Sequence, residues 1–247
     1  VEELGRALRD PRFSVREAAS QAISVMDHAS FVVPELIRQV RQSKDPRWTF
    51  SVVRALAQIR DVASAPLLLS VLSSTVDFSD ETRTAAAQGL GGMVYLPAIP
   101  HLISSLLEDA RPLREASATA LHRITNHHFG SSRASHARWV RWWNKNQLKS
   151  RMDWVEASFS RRGIGLSSNR GHHVARRLLY CIRKGGADGF NARALIQHVT
   201  GFFIERQYYN DLQLFRLYQS WFRHRGVEAA NETSVDTTGV SFERLQH

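Results

Sequence analysis

The chain has 247 residues and 43% apolar side chains, enough to enclose one large or two modest cores, and carries a formal net charge of +10. Its single cysteine, Cys181, excludes an intrachain disulfide framework and reads as a buried thiol, and no apolar run approaches the roughly 20 residues of a bilayer-spanning helix. Val1 stands in mid-helix without a Met or signal sequence, which points to an array that starts further upstream and leaves the compartment unassigned.

The first predicted helix pair runs from Val1 to Met26, with apolar positions at Leu4 and Leu8 and then at Ala22, Ile23 and Met26. Asp10-Pro11-Arg12 reads as the corner between them, Asp capping the coming helix and Pro taking its first turn, and Asp45-Pro46-Arg47 repeats that corner. The pattern then returns. Pro34, Leu36, Ile37 and Val40, then Pro66, Leu68, Leu69 and Leu72, then Pro100, Leu102, Ile103, Leu106 and Leu107 form one series, with steps of 32, 32 and 34 residues from Glu2. Ala22-Ile23-x-x-Met26, Ala55-Leu56-x-x-Ile59, Gly89-Leu90-x-x-Met93 and Ala120-Leu121-x-x-Ile124 form a second series, with steps of 33, 34 and 31. Two series with one period predict stacked two-helix units, because a single pair cannot bury enough apolar surface to offset the ordering of its backbone.

Arg16-Glu17-Ala18-Ala19, Arg83-Thr84-Ala85-Ala86 and Arg114-Glu115-Ala116-Ser117 open the second helices. They resemble the Val-Arg-x-Ala-Ala opening in HEAT repeats, specifically the short type named from phycobilisome lyase subunits, over residues 1–130. The resemblance implies an all-α fold, an α-solenoid of stacked antiparallel helix pairs. Repeat two departs from the pattern, with Thr49 at the arginine position. The three arginines are expected to form an internal ladder with the corner aspartates Asp10, Asp77 or Asp80, and Asp109, rather than to bind a ligand. The third repeat has the longest corner, Ser73 to Asp80, a segment that a partner could touch, although drift in loop length is the commoner cause. Its helix ends on Gly89, Gly91 and Gly92, which predicts close packing by the next repeat.

Thr125-Asn126, Phe129-Gly130 and Trp139-x-x-Trp142-Trp143 follow the repeats. This succession is similar to a Thr-Gly, Phe-Gly and Trp-cluster tail found after such repeats in many bacterial proteins. Residues 131–150 are read as a capping segment whose helix spans Ala137 to Asn146. Its Trp face either covers the open end of the stack, the favoured reading, or offers a stacking platform to single-stranded nucleic acid. His127, His128 and His136 invite a metal reading, but Cys pairs and a His-Glu-x-x-His helix are missing, and no metal or cofactor is assigned.

Residues 151–226 read as a looser second helical part, a degenerate copy of the same unit. Trp154, Val155 and Phe159 mark a helix stopped by Gly163, and Leu178-Leu179-x-x-Ile182 copies Leu102-Ile103-x-x-Leu106. A glycine-rich corner through Gly185, Gly186 and Gly189 leads to a helix starting near Asn191. Thr200-Gly201 and Tyr218-x-x-Trp221-Phe222 then match Thr125-Asn126 and the Trp cluster, at offsets of 75 and 79. Residues 227–247 read as an extended or disordered tail that can dock through Val240 and Phe242.

The charge is unevenly spread. Residues 1–100 hold 11 basic and 11 acidic side chains, whereas 101–150 hold 8 and 3, 151–226 hold 13 and 5, and 227–247 hold 1 and 4. The excess lies beyond residue 100, mostly as arginine, whose planar fork suits carboxylates and phosphates. No phosphate-binding glycine loop, Gly-x-Ser-x-Gly elbow or convincing carboxylate pair is present, so the sequence points to a non-enzymatic scaffold. The expected partner is an acidic protein, contacted by Arg111, Arg138, Arg141, Arg176 and Arg177, and nucleic acid is the alternative.

Overall fold

The computed structural model describes residues 2–8, 10–24, 26, 29–42, 45–165, 171–202, 204 and 209–224. The anticipated tail at 227–247, with Val240 and Phe242, lies outside the described residues, as do the side chains of His172 and His173. The described residues form helices and no strand. They fall into two compact units, one made of residues 1–124 with 128–145 and the other of 125–127 with 146–247.

In the first unit the helices come in pairs, α1 (Glu2–Ala7) with α2 (Phe13–Ser24), α3 (Val33–Gln42) with α4 (Pro46–Ile59), α5 (Ala65–Ser73) with α6 (Asp80–Gly92), and α7 (Ile99–Ser104) with α8 (Arg111–Thr125). Helices α2, α4 and α6 lie side by side, and α5 packs on α7, so successive pairs stack in the manner of an α-solenoid. Most of the apolar series of the sequence is buried, while Met26, Ile37, Ile59, Leu69 and Met93 are half-buried. Leu36, Val40, Leu68, Leu72, Leu102 and Leu106 meet Ile23, Leu56, Leu90, Leu121 and Ile124 in the interior. Leu107 departs from its series and is half exposed, at the end of the 3-10 turn Ser105–Leu107 that follows α7, while Ser105 and Leu106 of that turn stay buried.

Corners and stops recur with the same chemistry. Asp45 caps α4 by accepting the Arg47 N–H at 2.9 Å, with Pro46 in the first turn. The second helices end on a left-handed residue, Arg60 at φ 59°, Val94 at φ 56° and Asn126 at φ 61°. The glycines at the end of α6 serve close contact, since a β-carbon on Gly89 would sit 2.7 Å from that of Ala57 in α4.

The arginine ladder is internal, but it is built differently from expectation. Arg16 donates through Nη1 to the Asp10 and Pro11 carbonyls, both at 2.9 Å, and Arg114 donates to the Glu108 and Asp109 carbonyls at 2.9 and 2.6 Å. The corner carboxylates are taken by other arginines, Asp10 by Arg12 and Asp109 by Arg133. Only Arg83 pairs with an aspartate of its corner, Asp80 at 3.2 Å, and it also reaches Glu108 of the next repeat at 2.6 Å. In repeat two, where Thr49 replaces the arginine, Ser51 accepts from Arg16 of the repeat before.

Helix α9 (Arg133–Asn146) completes this unit and begins four residues before the expected Ala137, because the Ser132 carbonyl and hydroxyl engage Ser135 and start the helix there. The second unit holds α10 (Arg151–Arg161), α11 (Gly171–Lys184), α12 (Gly186–Thr200) and α13 (Asp211–His224). Its core gathers Val155, Phe159, Leu178, Ile182, Leu195, Tyr218 and Phe222, with α11 packed on both α12 and α13. Helix α12 starts at Gly186, well before the expected Asn191. Gly185 and Gly186, at φ 73° and 63°, make the expected corner, whereas Gly189 lies inside α12 and serves a crossing, since a β-carbon there would stand 2.8 Å from the Cys181 carbonyl of α11.

Candidate functional site

Most arginines of the repeats are neutralised locally. Arg12 holds Asp10 at 2.9 Å and lowers its carboxyl pKa to about 2, Arg38 holds Glu35 at 2.6 Å, and Arg54 reaches Glu17 of the preceding pair at 2.7 Å. Arg16 and Arg83 are buried and cannot meet a ligand. Of the arginines expected to contact a partner, Arg111 is also engaged, donating to Glu115 one turn on at 2.7 Å.

The helix α9 is different. It contains no acidic residue, and Ala134, Ala137, Arg138, Arg141, Asn144 and Lys145 are its exposed stripe, at the spacing of one helix face. Arg138, Arg141 and Lys145 have no ion pair among the described residues. Like charges three and four residues apart cost a helix roughly 0.2–0.5 kcal/mol per pair, so this face is held against its own repulsion.

The opposite face of α9 settles where the aromatic rings go. Trp139 and Trp142 are buried, edge to face at 5.7 Å, and Phe129 packs on Trp139 at 4.7 Å, while Trp143 is half-buried. The two buried rings serve the interior of the unit, and their faces are not open to stack a base.

Helix α11, in the second unit, repeats the single-signed pattern. It too lacks an acidic residue, and Arg176, Arg177, Tyr180, Arg183 and Lys184 are exposed, with Tyr180 at 65%. Arg177 donates to the Gly163 carbonyl at 3.4 Å and Arg183 lies 5.8 Å from the Phe215 ring of α13, whereas Arg176 and Lys184 carry no ion pair among the described residues. Sequence reasoning named Arg176 and Arg177 but missed Tyr180, Arg183 and Lys184. Their i+4, i+7 and i+8 spacing from Arg176 was the available signal.

The histidines and the cysteine have structural surroundings. Nδ1 of buried His127 is 2.9 Å from the Thr125 carbonyl, which can only accept, so that nitrogen carries the proton and Nε2 receives Arg161 at 2.5 Å. His122 and His128 meet edge to face at 5.3 Å. Among the described residues no group of three or more His, Cys, Asp or Glu could hold a metal ion. Cys181 is buried, and desolvation pushes its thiol pKa up, with Asp188 adding to the effect. In the same unit a polar chain missed by sequence reasoning joins Arg151, the Asn191 amide at 2.5 Å and the Asn126 amide a further 3.2 Å on.

Two grooves cross the repeats. The long third corner borders one of about 530 Å³, where Phe78 and Thr82 face Val40, Arg41 and Leu67. The other, about 570 Å³, lies over the second helices and mixes Arg54 and Arg60 with Asp80 and Glu81. Both signs of charge line each groove, Arg41 with Asp77 in the first, so neither matches the single sign of α9 and α11.

No described helix is long and apolar enough to cross a membrane. Residues 1–91 match the family model described as HEAT repeats. No curated protein matches the chain.

Proposed function

We propose that this protein is a non-enzymatic scaffold in which a HEAT-repeat array presents basic helix faces to an acidic protein partner. The observation that carries the reading is the acid-free face of α9, with Arg138, Arg141 and Lys145 exposed and without an ion pair among the described residues. Stacked helix pairs supply the stiffness. Each pair needs its neighbours for a core, which leaves outer faces available for recognition, and repeat arrays use such faces to hold proteins. Arg176 and Arg177 on α11 provide a second face of the same kind, and Arg111, shared with Glu115, is expected to contribute least.

The finer family reading belongs to the same proposal. The repeats are of the short phycobilisome-lyase type, followed by the Thr-Gly, Phe-Gly and Trp-cluster tail. Asn126 stands at the tail's first glycine position, and its positive φ is the conformation glycine usually provides. Residues 151–226 are read as a second copy of the last unit with its aromatic helix. In support, the Oγ1 of Thr125 accepts the His127 N–H at 3.1 Å and that of Thr200 accepts the Phe202 N–H at 3.2 Å. The two helices that end there have 15 residues each, and the aromatic helices that follow have 14 each.

An acidic protein is favoured over nucleic acid because burial of Trp139 and Trp142 removes the base-stacking partner that α9 would need. Titration of a labelled poly-glutamate peptide and of random single-stranded RNA at two salt concentrations tests the choice. The expected result is peptide binding that weakens with salt and falls several-fold in Arg138→Ala/Arg141→Ala, with a flatter salt slope. Unchanged affinity in that variant would refute the assignment, and tighter RNA binding through the same arginines would replace the protein partner by nucleic acid.

A further inference from the structure

The arginine ladder has one missing rung, and a groove lies at its place. In the third repeat the Arg83 guanidinium meets three groups, the Leu72 carbonyl at 3.2 Å, Asp80 at 3.2 Å and Glu108, in the corner of the following repeat, at 2.6 Å. Moved back by one repeat, Leu72 becomes Val40, Asp80 becomes Pro46, Arg83 becomes Thr49, and the following corner is the long one from Ser73 to Asp80. Val40, Pro46 and Thr49, with Asp77 and Phe78 from that corner, line the groove of about 530 Å³.

Thr49 takes up little of this space. It is 6% exposed, as deep as Arg16 and Arg83 at their own positions, but its side chain stops one atom beyond the β-carbon. The acid of this rung is left over. Asp77 is exposed, accepts from the Ser74 hydroxyl at 2.7 Å and has no ion pair among the described residues, whereas Asp80 and Glu108 share Arg83.

A guanidinium arriving from outside would meet what the chain provides for its own arginines. Asp77 offers a carboxylate, and Val40 stands in the last turn of α3, where main-chain carbonyls run out of helical partners. Phe78 adds a ring of the kind on which a planar cation packs. An ammonium suits the place less well, because it is a compact charge without a planar fork of donors. Arg41, exposed in the last turn of α3 and without an ion pair among the described residues, lines the same groove. It would repel a lone cation, and an acidic residue beside the incoming arginine offsets that repulsion.

We propose that this groove is a docking site for an arginine side chain of a protein partner. The arginine occupies the missing rung beside Asp77, and an acidic neighbour in the partner's sequence pairs with Arg41. The site goes beyond the basic faces of α9 and α11, and neither reading depends on the other. It also gives the long third corner a use, since that corner supplies both the carboxylate and the ring.

Three blocked tripeptides test the proposal, acetyl-Glu-Arg-Glu-amide and its relatives with Lys or Gln at the centre, titrated into the 15N-labelled full chain and followed by amide shifts. The arginine peptide should bind at least about fivefold more tightly than the other two. Asp77→Asn should weaken it about tenfold, the loss of one charge-assisted contact. Thr49→Arg builds the rung from within and should abolish binding. Should that variant fail to fold, Asp77→Asn decides alone, because its exposed carboxylate is bonded only to Ser74 among the described residues. Equal binding of the lysine or glutamine peptide would overturn the proposal, as would affinity unchanged by Asp77→Asn or retained in a folded Thr49→Arg. No shift at about 10 mM arginine peptide, a level that reveals millimolar affinity, would overturn it as well.

Discussion

The α-carbon of Ala120 lies 2.6 Å from the point that a β-carbon on Gly91 would occupy, so α6 and α8 approach at backbone distance. A methyl group there has no flexible neighbour to push aside. Gly91→Ala should lower stability by about 1–3 kcal/mol through overpacking, which outweighs the roughly 1 kcal/mol that alanine adds to an exposed helix. Gly92 faces the movable side chain of Arg60, so Gly92→Ala should be neutral or slightly stabilising. Thermal melts of both variants check this, and equal losses at the two sites would contradict the close crossing.

Arg83 is 4% exposed and binds the Leu72 carbonyl, Asp80 and Glu108. Its replacement by methionine should cost about 2 kcal/mol, reduced from the figure for a fully buried pair because both carboxylates keep contact with water. Arg38→Met, at an exposed pair, should change stability by less than about 0.5 kcal/mol. Denaturant titrations would separate these outcomes.

Asp10 titrates at about 2, chiefly because the Arg12 side chain and backbone N–H donate to its carboxylate. The sign follows directly. Between the ordinary aspartate value of about 3.9 and about 2, the unfolded chain takes a proton that the folded chain refuses, so this contact favours folding above that range and loses its effect as pH falls through it. Arg12→Ala should return the Asp10 transition toward the ordinary value in a carboxylate NMR titration.

The Cys181 thiol is raised by burial, so the folded protein resists its ionisation. Above the ordinary thiol value of about 8.5 the unfolded chain ionises first, and this residue's contribution to stability falls as pH rises from there to its folded value. Alkylation with iodoacetamide at pH 8.5 should be slow in the native protein and fast in denaturant. Rapid native labelling would show an open thiol.

The period of the repeats was readable because it is written in local apolar spacing, Leu36 to Leu68 to Leu102 on one side and Leu56 to Leu90 to Leu121 on the other. Gly91 was also legible as a contact with the next repeat, where it meets Ala120, whereas Gly89 meets Ala57 of the preceding repeat instead. What escaped was non-local. Arg83 meets Glu108, 25 residues away, and Arg16 meets Ser51, 35 residues away, and no spacing rule names such partners. Gly185 and Gly186 form the corner that they suggested, but Gly189 looked like part of it because glycine signals both a turn and a close crossing, and only the Cys181 carbonyl beside it distinguishes them. At α11 the first cations were visible as a run, whereas the continuation through Tyr180 to Lys184 required knowing which face points outward.

Among the described residues, polar links between repeats join one repeat to the next, as in Arg16 to Ser51, Ser20 to Gln58, Glu17 to Arg54 and Arg83 to Glu108. A gene that gained or lost a whole pair would therefore rejoin like surfaces at the cut, alanine and glycine against alanine, with an arginine again clasping corner carbonyls. Such a protein can change its length by copying, with no interior to be redesigned.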